Sequence, residues 1–179
     1  SFTIQYDSQM NIQEIEAKIN KIPDYPKPGI LFYDISSLII NNTAFSETIR
    51  LLTETIKKFD FNCIAAIDAR GFIFGSAIAH KLGLGLVMIR KKGKLPGKVM
   101  SHSYDLEYGT DTLEINVKAK NKKFILVDDL LATGGTAEAA IELIKKSGGT
   151  ISCFLALIEL KFLKGKEKID VPVETLIHY

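Results

Sequence analysis

Two adjacent carboxylates, Asp128 and Asp129, directly follow the apolar run Phe124, Ile125, Leu126, Val127, and a string of small residues, Ala132, Thr133, Gly134, Gly135 and Thr136, comes shortly after. Acids at the end of a buried strand can hold the hydroxyls of a diol. Small residues ahead of a helix let backbone amides turn toward one point at the helix's positive end, so the package suits a ligand carrying both a phosphate and a diol. Two further stretches carry cations. Arg70 lies in Asp68-Ala69-Arg70-Gly71-Phe72, where a guanidinium at a strand end, followed by glycine and a helix start, is placed to grip a second anion. The segment from Arg90 to Lys98 puts five cations in nine residues, broken by Gly93, Pro96 and Gly97, and is attracted to a polyanion as a mobile lid would be.

Each stretch has a plainer explanation. A nucleotide-triphosphate P-loop needs a Lys after its last glycine, and Gly135 is followed by Thr136 and Ala137, so that motif is absent. An ordinary strand-to-helix turn accounts for Gly134-Gly135 and Thr136 but gives no reason for two acids beside them. Arg70 could be an exposed arginine on a turn, and the basic run a solvated loop. A nucleic-acid patch is disfavoured, because no aromatic residue lies within the run. Gly83 and Gly85 do not begin a dinucleotide fingerprint, since Met88 takes the third glycine's place and a helix, not a strand, precedes them.

The elements that must position these groups follow from periodicity. Buried strands are predicted at 63–67, 124–127 and 151–158, and further strands at 86–89 and 171–179. Helices are predicted at 11–20 (Ile12, Ile15 and Ile19 on one face), 43–59 (capped by Asn42 or Thr43), 73–82, and around Ala140, Ile141 and Ile144, this last stopped by Gly148-Gly149. Three prolines in six residues make 22–29 an extended, lid-like segment. Residues 103–108 and 112–116 flank Gly109-Thr110-Asp111 as a hairpin. Strand and helix runs in alternation give an α/β fold with a mostly parallel central sheet flanked by helices. The proline-rich segment and the hairpin form a small hood over the sheet's carboxyl edge, where ligands of open α/β sheets bind.

A chain of 179 residues, 46% apolar and with a net charge of +2, fits a single domain over 1–179 and calls for neither a nucleic-acid nor a membrane partner. The opening SFTIQYDSQM lacks the regions of a secretory signal, and no apolar run approaches the roughly 18 residues of a membrane span, so a cytoplasmic location is expected. Cys63 and Cys153 lie in apolar runs without CxxC spacing and read as buried thiols. His80, His102 and His178 are scattered, and no protein-ligated metal is expected. Asn41-Asn42-Thr43 has the form of a glycosylation sequon but reads as a helix cap.

The stretch VDDLLATGGT, 127–136, resembles the phosphoribosyl-diphosphate (PRPP) motif of the type I phosphoribosyltransferases, in the version found in the adenine phosphoribosyltransferase family. Residues 25–35, 68–72, 90–115, 159–160 and 163–170 resemble further signatures of that family, so the likeness covers about 12–179. It implies transfer of a phosphoribosyl group from PRPP to adenine, giving AMP and diphosphate. Asp128 and Asp129 then hold the ribose hydroxyls and Ala132, Thr133, Gly134, Gly135 and Thr136 the 5'-phosphate. Ala69, Arg70, Arg90, Lys91 and Lys94 approach the diphosphate. Leu31, Tyr33 and Leu160 contact the adenine, although Tyr33 stands where many members carry Lys or Arg. Glu107 is the candidate general acid/base. The likeness further implies hood elements at about 22–36, a mobile loop at about 91–108, Mg²⁺ held mainly through PRPP or diphosphate and water, and a homodimer. Two other functions remain open on the same fold: an enzyme for another 6-substituted purine, and a non-catalytic PRPP or nucleotide sensor. A sensor would usually carry a DNA-binding segment, and the first 25 residues are too short for one.

Overall fold

The structure, a computed structural model, describes residues 10–179; residues 1–9, which hold most of the opening stretch judged against a secretory signal, lie outside the described residues. The chain divides into two compact units, one ending at Leu51 and one running from Leu52 to Tyr179.

The first unit opens with α1 (Ile12–Glu16). The Asn11 side chain accepts from the Glu14 amide at 2.8 Å while Glu14 reaches back to the Asn11 amide, a capping box that starts the helix. The helix is shorter than predicted, because the chain extends at Asn20 to form β1 (Asn20–Ile22), antiparallel to β2 (Phe32–Asp34). Ile15 and Ile19 are buried but Ile12 is exposed. The proline-rich connection is not extended; it turns back on itself. The Tyr25 amide donates to the Ile30 carbonyl at 3.1 Å, and the Gly29 amide donates to Asp24 Oδ1 at 2.8 Å. Gly29 has φ +86°, a left-handed conformation that only glycine adopts freely, so prolines that forbid helix are here folded into a closed loop. After α2 (Ser36–Ile39) comes α3 (Asn42–Ile56), whose cap is neither Asn42 nor Thr43: Asn41 Oδ1 accepts from the Ala44 amide at 2.9 Å.

The second unit is built on one seven-stranded sheet. Its strands are β3 (Cys63–Ile67), β4 (Gly85–Lys91), β5 (Met100–Leu106), β6 (Gly109–Ile115), β7 (Lys123–Leu131), β8 (Thr150–Glu159) and β9 (Val173–His178), in the order β5-β6-β4-β3-β7-β8-β9. The run from β4 to β9 is parallel; β6 is antiparallel to β4 and β5 to β6. The mostly parallel α/β sheet expected from the sequence is therefore present. Successive side chains of a strand point to opposite faces. On one face α5 (Gly135–Lys146) joins Ala65, Ile67 and Leu126 in the core. On the other, α4 (Gly71–Leu82) brings Gly75 so close to Ala66 that a methyl group there would collide.

Departures from the predicted boundaries that bear on the site are found at β7, at the end of β4 and at the hairpin. β7 does not stop before the acids: β8 supplies partners as far as Leu131↔Glu159, although pairing with β3 ends at Val127. Arg90 and Lys91, predicted as loop, are strand residues because β6 pairs with them through Glu114 and Leu113. The hairpin turn lies at Glu107-Tyr108, two residues earlier than predicted, between Leu106 and its partner Gly109.

Cys63 and Cys153 are buried on β3 and β8, the two neighbours of β7. Burial pushes both thiols up, Cys153 to about 12. Among the described residues no helix is long and apolar enough to cross a membrane.

Candidate active site

The parallel run of β3 and β7 brings two loops side by side. Gly71, which opens α4, has no room for a Cβ, which would stand 2.9 Å from the Val127 carbonyl and 3.1 Å from Asp128 Oδ1. This close approach sets Arg70 beside the acid pair, and its Nε donates to Asp129 Oδ2 at 2.6 Å. Asp129 is 7% exposed. The Asp129 amide in turn donates to Asp128 Oδ1 at 2.8 Å. Burial nevertheless raises the Asp128 carboxyl well above the usual carboxylate range, and the negative neighbour Asp129 pushes it the same way.

The remaining cations are also paired with carboxylates. Asp68 Oδ2 accepts from Arg90 Nε and from Lys94 Nζ, each at 3.2 Å, and its side chain is 3% exposed. Burial alone would raise this carboxyl, but Lys94 and Arg90 outweigh it and hold it below the ordinary value. Lys91 donates to Asp111, which lies opposite Tyr104 in the hairpin. Asp111 is lowered by that bond against the opposing effect of burial. Lys91 also donates to the Tyr104 hydroxyl at 3.1 Å, and that hydroxyl lies 3.3 Å from Thr136 Oγ1. The hairpin is thereby tied to the loop after β7. The loop between β4 and β5 is anchored as well, since the Gly93 amide donates to buried Glu114 at 2.8 Å.

A cavity of about 340 Å³ is lined by Asp68, Ala69, Arg70, Lys91, the acid pair and Thr136. A second, of about 90 Å³, lies against Ala132, Thr133, Gly134 and Thr136. Asp128, Leu130 and Thr136 line both, so the anion nest and the cation cluster open onto the same carboxylate. Gly134 precedes α5 with φ +88°, and no side chain caps the helix start, which leaves the first amides of α5 available to an anion.

Of the residues singled out in the sequence, Asp128, Asp129, Ala69, Arg70, Lys91 and the 132–136 string gather around these two cavities, Gly135 as the first residue of α5. Arg90 and Lys94 join through Asp68. Glu107 does not: it is exposed at the turn between β5 and β6 and lines neither cavity. Leu160 is buried just beyond β8, its amide donating to the Leu131 carbonyl at 2.9 Å. Leu31, exposed, and Tyr33, half-buried, belong to the unit ending at Leu51. The sequence reasoning missed Asp68, Asp111 and Tyr104 as partners of the cations. For Asp111 and Tyr104 a signal existed in the hairpin, but only the correct turn position puts the two opposite each other.

No group of three or more His, Cys, Asp or Glu is arranged to hold a metal ion among the described residues. Asp129 already accepts from Arg70 and Asp128 from a backbone amide, a donor set that fits a cation carried by a substrate's phosphates better than one caged by protein.

Comparison with known proteins shows the family. A model of the phosphoribosyl transferase domain matches residues 35–173. An adenine phosphoribosyltransferase of Koribacter versatilis is 49% identical over 168 residues, spanning 92% of each chain, and one of Psychromonas ingrahamii is 50% identical over 173 residues, 94% of this chain and 96% of that one. The chain belongs to the adenine phosphoribosyltransferase family. Among solved structures, the adenine phosphoribosyltransferase of Thermoanaerobacter pseudethanolicus superposes with a TM-score of 0.92 at 42% identity, covering 94% of this chain and all of that one. The Saccharomyces cerevisiae enzyme, complexed with an imino-altritol bisphosphate and adenine, has a TM-score of 0.86 at 37% identity, with 92% and 97% covered. These likenesses extend the family's α/β fold over nearly the whole chain.

Proposed function

We propose that the protein transfers the 5-phosphoribosyl group of PRPP to N9 of adenine, forming AMP and diphosphate. The observation that carries this reading is the shared wall of the two cavities: an anion nest and a cation cluster meet at Asp128, as a substrate with a phosphate at one end and a diphosphate at the other requires. In the reaction the bond between the anomeric carbon and the diphosphate oxygen breaks, the N9–carbon bond forms, and the N9 proton leaves. The ribose gains oxocarbenium character, as in glycosyl transfers generally. Arg70, Arg90, Lys91 and Lys94, supported by the Ala69 backbone, hold the departing negative charge. Asp128 and Asp129 orient the ribose hydroxyls and lie near the developing positive ring. The amides of 132–136 fix the 5'-phosphate. Mg²⁺ bound through the diphosphate and water would neutralise part of the leaving charge.

Each cation that we assign to the diphosphate rests against a carboxylate of the protein: Arg70 on Asp129, Arg90 and Lys94 on Asp68, Lys91 on Asp111. The protein's acids thus stand in for the substrate's negative charge and keep the cations ordered at low reorganisation cost. Leu160 contacts adenine, and Glu107 manages the purine's proton once the 91–108 segment closes. Exposed Leu86 and Met88 on β4 offer apolar surface to a second copy in a homodimer. The free, buried thiols of Cys63 and Cys153 suit a reducing, cytoplasmic setting. No nucleic-acid or membrane partner is part of this reading.

The deciding experiment is a radiolabelled-base assay with PRPP and Mg²⁺. Adenine should be converted to AMP far faster than hypoxanthine or guanine to their nucleotides. Preference for another purine would move the assignment within the fold, and binding of PRPP without turnover of any base would make the protein a sensor.

A further inference from the structure

The turn that follows β8 packs against the back of the small-residue loop. Gly165 is buried between Lys164 and Lys166, at the start of a short 3₁₀ turn. A Cβ built on it would stand far inside 3.0 Å of the Ala132 carbonyl oxygen and 3.0 Å from the Gly134 nitrogen. The approach is reciprocal, since a Cβ on Gly134 would run into the Gly165 carbonyl. The turn is held by hydrogen bonds at 3.1 Å from the Lys164 amide to the Lys161 carbonyl and from the Glu167 amide to the Lys164 carbonyl. Lys164 takes the left-handed conformation, φ 54°.

We infer that Gly165 is a positioning residue for the 5'-phosphate: its bare backbone is the seat that sets the direction of the loop amides. In a planar trans peptide the carbonyl and the following N–H point opposite ways. With the Ala132 carbonyl against Gly165, the Thr133 N–H is turned away from the seat, and the Gly134 nitrogen is held at the same contact. Gly165 is not among the glycines with positive φ, so alanine meets no backbone penalty there and differs only by the atom that presses on Ala132. Relief requires the loop to move by more than about 0.5 Å, the tolerance within which a binding constellation must be held. A misplacement on the order of 1 Å costs up to about 10²-fold.

This inference rests on the proposed phosphate role of 132–136, and the test separates the two. Calorimetric dissociation constants are measured for AMP, which carries the 5'-phosphate, and for pyrophosphate with Mg²⁺, which addresses Arg70 and Asp68's cations instead. Gly165→Ala should weaken AMP about 10-fold or more and leave pyrophosphate within about twofold. Gly149→Ala, which crowds Phe124 and Ile144 in the core, serves as control and should lower the melting temperature while sparing both ligands. AMP affinity within twofold of the parent, or equal losses for both ligands, overturns the inference. If Gly165→Ala does not fold, Lys164→Val is compared with Lys164→Gly: both lack the charge, but a β-branched side chain resists the left-handed backbone that glycine adopts freely. Lys164→Val should bind AMP at least threefold more weakly than Lys164→Gly, and equality sinks the idea. Thr133→Pro removes a loop amide proton outright; full AMP affinity in that variant would refute the phosphate role itself, independently of Gly165.

Discussion

Replacing Asp128 by Asn should make the protein more stable at neutral pH and a poorer enzyme. The half-buried carboxyl lies beside Asp129, and desolvation, helped by that negative neighbour, raises its folded-state pKa above the ordinary value of about 3.9. Below that ordinary value both folded and unfolded chains carry the proton, and the residue adds no pH dependence. As pH rises from there toward the folded value, the unfolded chain releases its proton while the folded one retains it, so unfolding gains and stability falls with pH. Asn is isosteric, keeps an acceptor for the Asp129 amide now bonded at 2.8 Å, and carries no charge to bury. The melting temperature of Asp128→Asn minus that of the parent should therefore be near zero at pH 4 and grow positive toward pH 8. In catalysis the substitution removes a carboxylate that, once ionised above its raised folded-state value, is a charged acceptor for a ribose hydroxyl. Hydrogen bonds to charged groups contribute about 1.5–3 kcal/mol, so kcat/KM for PRPP should fall roughly 10- to 150-fold. Thermal melts across that pH range, run beside initial rates in PRPP, test both halves. A variant less stable than the parent at pH 8, or one with unchanged kcat/KM, would refute the reasoning.

Asp68→Asn strips Arg90 and Lys94 of their shared carboxylate; the unliganded protein should melt lower, and pyrophosphate, which no longer competes with Asp68, should bind about 10-fold tighter, whereas weaker binding would mean that Asp68 keeps its hold while the ligand is bound. Proteolytic cuts between Lys91 and Lys98 should slow once PRPP and Mg²⁺ are present; equal rates would count against a closing lid. Glu107→Gln should lower kcat by about 10²-fold or more, and a drop below threefold would leave this exposed turn residue a structural role.

The chemistry of this chain was legible where it is local. An apolar run, two acids and a string of small residues needed no tertiary information to be read as a strand, an acid pair and a loop opening a helix, because periodicity and glycine freedom act within ten residues. What depends on partners was not legible. The extra length of β7 comes from β8, which reaches beyond the acids, and the strand character of Arg90 and Lys91 comes from β6. The true turn at Glu107-Tyr108 puts Tyr104 opposite Asp111, a pairing that the predicted turn two residues later would have broken. Asp68 stood in plain view, yet nothing local says that its partners lie 22 and 26 residues away. Gly165 lies in the stretch 163–170, whose likeness to a family signature marks it but whose basic residues read as solvated surface; nothing local says that this glycine is buried against Ala132.

Cys63 and Cys153 flank β7, the strand that carries the acid pair, on either side and are shielded from solvent. A sulfhydryl reagent can reach them only when the sheet parts, so alkylation kinetics give an intrinsic gauge of opening events that flank the acid pair, with no label to engineer. Oxidants and electrophiles that disable surface-thiol enzymes should leave turnover here untouched for as long as the chain stays folded.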